Sequence, residues 1–125
     1  MAYTTEVEIP LTEKLYDLKQ LEKIVGGSTE FLISLANIYL TTIPLNSKQM
    51  VQATAEEDWP TVSKLAHKIK PTIDSMNIIS ISSDVRILEK NAKLKVNTHT
   101  LKNIAVKVDH VINTVANQLK YEFDL

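Results

Sequence analysis

The sequence predicts an all-α fold, an antiparallel up-down four-helix bundle with an additional short N-terminal helix. Apolar residues recur at three- and four-residue spacing along four long segments, the period of a helix with one buried face. The 125-residue chain holds only two glycines and four prolines, too few for the tight turns of an all-β protein. Short connections carrying capping residues separate the segments, as neighbouring antiparallel helices with crossings near 20° require.

Residues 1–15 show little period and contain Pro10, so they read as an extended lead-in to a single domain over 16–125. The first helix is short. Asp17 as N-cap and Gln20 form a capping-box pattern, Leu18, Leu21, Ile24 and Val25 supply its apolar side, and Gly26-Gly27 end it. The second helix begins near Ser28 with the stripe Phe31, Leu32, Leu35, Ile38 and Tyr39, and resumes after Pro44 through Leu45, Met50, Val51 and Ala53 to Glu57. Because proline removes one internal hydrogen bond, this segment reads as one kinked helix or two nearly coaxial ones.

Glu56-Glu57-Asp58 mark a reversal, with Asp58 as N-cap of the third helix and Pro60 tolerated in its first turn. That helix carries Val62, Leu65, Ala66, Ile69, Ile73 and Met76, and Asn77 can end it in a left-handed conformation. Ile78–Ile81 form an apolar link. Ser82 or Ser83 then caps a fourth helix through Val85, Leu88 and Ala92. Asn97 or Thr98 caps the last, whose stripe is Leu101, Ile104, Ala105, Val108, Val111, Ile112, Val115 and Leu119.

Composition excludes several classes of function. A net charge of −1, with lysines dispersed among acids along the chain, gives no overall attraction to nucleic acid or an anionic membrane. Zero cysteines exclude disulfides and thiolate chemistry. No apolar run approaches the roughly 18 residues needed to span a bilayer. Met1–Glu6 has neither the basic nor the apolar region of a signal peptide, so a cytoplasmic location is expected. No phosphate-binding loop of the G-x-x-x-x-G-K-[ST] type occurs, which argues against ATP use by this chain alone. The three histidines lack ligand spacing, and no carboxylate pair accompanies them, so no metal or other cofactor is expected.

The chemistry concentrates at His67. At about 100° per residue it lies roughly 150° from the centre of the third helix's apolar stripe. Lys70 stands one turn along the same surface and Lys64 one turn back, whereas Lys68 projects away. A neutral imidazole, of unperturbed pKa about 6.5, is a competent phosphoryl acceptor, and the lysines disfavour its cationic form. An ammonium near 4 Å contributes on the order of a few kcal/mol to holding a phosphoryl group at surface-like dielectric. His99 and His110 read as surface residues, and Tyr39 and Trp59 as core or bundle-edge aromatics. Asp74 lies on the His67 face two turns along, and Glu89 of the fourth helix can approach across the bundle.

The run Asp58-Trp59 … Leu65-Ala66-His67-Lys68-Ile69-Lys70 resembles the histidine-containing phosphotransfer (HPt) family, whose signature helix reads Ala-His-x-Leu/Ile-Lys-Gly. Helix order and lengths extend the resemblance from about Tyr16 to Tyr121. It implies that His67 takes a phosphoryl group from one receiver-domain aspartate and passes it to another, with Lys70 supporting that group. It also implies a receiver domain or hybrid sensor kinase as partner, Mg²⁺ on the receiver, and a monomeric phosphocarrier in a two-component phosphorelay. The chain departs from the pattern at Pro71, where the family commonly has glycine, and at Asn77, where a second glycine is common. Lys64, Pro71 and Asp74 become candidate partner contacts. Reflection about the Glu57-Asp58 turn adds Lys48, Gln49 and Gln52. The competing reading is a helical adaptor that binds a receiver or kinase through the same face without being phosphorylated.

Overall fold

A computed structural model describes residues 13–125. Five α-helices follow in order: α1 (Lys19–Ile24), α2 (Thr29–Ala55), α3 (Trp59–Ser75), α4 (Ser82–Leu94) and α5 (Leu101–Phe123). Short 3₁₀ turns at Ile79–Ile81 and Thr98–Thr100 lead into α4 and α5. No strand occurs among the described residues. The lead-in expected over residues 1–12, including Pro10, lies outside them.

The four longer helices close a circuit, α2 packing on α3 and α5, and α4 packing on the same two. Their facing stripes meet in one core, where Met50, Val62, Ile69, Leu88, Leu101, Ile112 and Leu119 are each 0% exposed. Burying a side chain of this kind is worth about 1.5–3 kcal/mol. Two polar links pass from α2 to α5: the buried Tyr39 hydroxyl donates to the Ile112 carbonyl (2.9 Å), and Ser47 Oγ donates to Asp109 (2.8 Å). Residue numbers rise along α2 as they fall along α5 in these pairs, so the two helices run in opposite directions. No helix of the described residues is long and apolar enough to cross a membrane.

Local chemistry explains most boundaries. Ser28 Oγ accepts from the Phe31 amide (3.3 Å) at the start of α2. Asp58 accepts from the Thr61 amide (3.3 Å) and hydroxyl (2.7 Å) at the start of α3. Gly26 and Gly27 leave α1 at φ +66° and +78°, and Asn77 leaves α3 at φ +51°, the left-handed region those residues tolerate. α2 runs unbroken through Pro44 as a single helix.

Other expectations need correction. α1 starts at Lys19 with Leu18, not Asp17, in the cap position. From one residue upstream the Asp17 carboxylate still accepts from the Lys19 amide at 2.9 Å. The Asp17 main chain is already committed to the end of α3: its amide donates to the Met76 carbonyl (2.9 Å), and its carbonyl accepts from Asn77 Nδ2 (3.3 Å). Neither Ser82 nor Ser83 caps α4. The 3₁₀ turn runs straight into the helix, and Ser82 is already its first residue. Asn97 and Thr98 likewise precede α5, separated from it by a 3₁₀ turn that contains Thr98.

The α2 stripe is rotated relative to expectation. Leu32, Ala36, Tyr39 and Ile43 are buried, while Phe31, Ile38 and Leu45 remain 43, 60 and 55% exposed. Two apolar rows adjoin on this helix, and only one fits the arc that faces α3 and α5. Replacing Ile69 with Ala should cost about 2–5 kcal/mol of unfolding free energy in urea titrations. Leu45→Gln should stay within about 0.5 kcal/mol of wild type. Comparable losses for the two would refute this division between core and surface.

Candidate functional site

Capping by Asp58 and burial of Val62, Leu65, Ala66, Ile69 and Ile73 fix the rotation of α3 about its axis. His67 is thereby turned outward, with a side chain 72% exposed. On α4, burial of Val85, Leu88 and Ala92 places Arg86 and Glu89 on the flank that meets α3.

Glu89 joins the two helices. One carboxylate oxygen is 2.6 Å from His67 Nδ1, and the other accepts from Lys70 Nζ at 2.7 Å. Its own main-chain carbonyl accepts from Ser63 Oγ at 3.0 Å. Lys70 is the main cause holding the Glu89 carboxyl below the usual glutamate range; partial burial opposes the shift and His67 reinforces it. An ionised carboxylate can only accept. Nδ1 must therefore carry the proton in the Glu89 hydrogen bond. When the ring is neutral, its lone pair is then on Nε2.

A second bridge continues the seam toward the end of α3. Arg86 donates to both Asp74 oxygens, at 3.0 and 2.8 Å, and to the Ser82 carbonyl and hydroxyl at 3.1 and 2.9 Å. Arg86 holds the Asp74 carboxyl below its ordinary range. Toward the start of α3 the seam opens into a groove of about 430 Å³. Lys64 and His67 stand on its α3 bank, and Lys93 and Lys95 on the side of α4.

The sequence-derived candidates divide accordingly. His67, Lys70 and Glu89 form one cluster, and Lys64 lines the adjoining groove. Asp74 is tied to Arg86. Pro71 is exposed on α3, which continues past it to Ser75. Lys48 and Gln49 are exposed on α2, Gln52 donates to Glu56 (2.8 Å), and none of the three lines the groove. Trp59 and His99 share a recess at the end of the molecule where α2 meets α3. His110 is exposed on α5.

Lys93 and Lys95 are not among the sequence-derived candidates, because reflection about the Glu57-Asp58 turn relates α3 only to α2. Reflection about the Ile78–Ile81 link puts residue 67 opposite roughly residue 91, between Glu89 and Ala92. No protein-family model, curated protein or solved structure matches this chain.

Glu89 has a lowered pKa in the fold. Its pairing therefore stabilises the protein at neutral pH, and that contribution disappears as pH falls through the lowered midpoint. A carboxyl NMR titration should show this midpoint rising in Lys70→Ala; an unmoved midpoint would remove Lys70 as the cause. Nitrogen NMR at alkaline pH should find the His67 proton on Nδ1 in wild type and less exclusively so in Glu89→Ala. The same tautomer ratio in both would exclude Glu89 as the determinant.

Proposed function

We propose that this chain is a histidine phosphotransfer protein, relaying a phosphoryl group between receiver-domain aspartates in a multistep two-component phosphorelay. In this reading it is a cytoplasmic monomer built as an up-down four-helix bundle, with α1 as the additional short helix. It acts as a phosphocarrier without ATP-dependent kinase activity of its own. The observation that carries the reading is His67: an exposed imidazole whose Nδ1 is engaged by an ionised Glu89, on the helix surface that also bears Lys70. The Ala66-His67-x-Ile69-Lys70 signature supports the same assignment.

The chemistry balances without an added proton donor. The Nε2 lone pair attacks phosphorus of the receiver's aspartyl phosphate, the P–O bond breaks, and the aspartate leaves as a carboxylate. Positive charge then develops on the ring, whose proton stays on Nδ1 and is donated to Glu89 in a hydrogen bond, and the fixed carboxylate stabilises that charge. Lys70 has three donor hydrogens and spends one on Glu89, leaving others for phosphoryl oxygens. The receiver contributes Mg²⁺ and the leaving group, while α3 contributes alignment. Phosphoryl transfer depends chiefly on such positioning and charge stabilisation.

Incubation with labelled, phosphorylated receiver domains should place acid-labile phosphate on wild type and none on His67→Gln. Lys70→Ala should slow transfer on the order of tenfold, about 1.4 kcal/mol of barrier, without altering the helical content. Label persisting on His67→Gln would remove His67 from the role. Receiver binding by wild type without any phosphohistidine would instead assign this face to a non-phosphorylated adaptor.

A further inference from the structure

Charge is divided unevenly over the molecule. Residues 59–95, which span α3 and α4, carry seven basic and three acidic side chains, against seven basic and twelve acidic in the rest of the chain. The three acids in this region are already paired: Asp74 with Arg86, Asp84 with Lys107 of α5, and Glu89 with Lys70 and His67. Lys64, Lys93 and Lys95 are exposed, border the groove beside His67, and form no ion pair with another described residue. An overall charge of −1 thus conceals a cationic surface at the site.

We propose that the α3–α4 face is an electrostatic docking surface for the acidic face of a receiver domain, anchored by Lys64, Lys93 and Lys95. The proposal rests on the phosphotransfer reading and deepens it by assigning residues of α4 to partner capture. Complementary charge raises encounter rates and fixes orientation more than it adds to final affinity. Lys93 and Lys95 rise from the bank opposite Lys64, so an acidic partner surface is held from both sides of the groove. Nucleic acid fits less well, because the ionised Glu89 lies in the groove and no phenylalanine, tyrosine or tryptophan lines it for base stacking.

The experiment follows phosphoryl transfer from receiver domains phosphorylated with acetyl phosphate, in wild type and two double variants of equal charge change. Lys93→Glu with Lys95→Glu should lower the second-order rate roughly tenfold at low salt, with the gap closing at high salt. Lys102→Glu with Lys120→Glu, on α5, should remain within about twofold of wild type. Circular dichroism checks that both variants are folded; Gln replaces Glu at 93 and 95 if the first does not fold, with a smaller loss expected. Equal rates in all proteins, or equal losses in both variants, would overturn the docking surface while His67 still accepts label. Wild type unlabelled by any receiver would overturn the phosphotransfer reading and this surface together. Low-salt binding of duplex DNA that Lys93→Glu with Lys95→Glu abolishes would assign the lysines to nucleic acid and also overturn it.

Discussion

Glu89 serves two partners through two oxygens, and the rest of the site depends on that sharing. Lys70 at 2.7 Å keeps the carboxylate ionised, and ionisation determines which nitrogen of His67 carries the proton. The exposed ring is thus oriented by a group on a different helix, so α3 and α4 must stay in register for the cluster to exist. Ser63 reinforces that register by donating to the Glu89 carbonyl, and Arg86 does so two turns away by clasping Asp74. These exposed and half-exposed pairs contribute little stability individually. Their main effect is geometric.

The core provides the rigidity that makes such geometry useful. Ile69 and Val62 on α3 and Leu88 and Val85 on α4 are fully enclosed, so neither helix can rotate without exposing apolar surface. With that rotation fixed, His67 and Glu89 meet at the mouth of a groove. Polar bridges close the seam on one side of the histidine, and the cationic groove leaves the other side open.

Much of the backbone was legible from local chemistry. Asp58, Asn77 and the Gly26-Gly27 pair mark boundaries through hydrogen bonds and left-handed conformations available to those residue types. The α5 stripe was also readable, because Leu101, Ala105, Val108, Ile112, Val115 and Leu119 lie on one unambiguous arc. Legibility failed where two solutions were locally equivalent. Phe31, Ile38 and Leu45 are as apolar as the row that is buried, and small or polar residues such as Ala36 and Ser47 occupy the true interface. Capping also failed where a 3₁₀ turn feeds directly into the helix, since the serine or asparagine then falls outside the cap position.

Within the candidate site, the sequence by itself determined the helix that carries His67, its outward direction, and the lysine one turn along. All three follow from the period of a single helix and the burial of its apolar stripe. Only tertiary structure decided that Lys70 binds Glu89, that Asp74 is occupied by Arg86, and that Lys93 and Lys95 reach the groove. Those facts depend on the register between α3 and α4, set by side-chain packing and by the length of the link that joins them. A helical period fixes which way a residue faces; it does not specify what stands opposite.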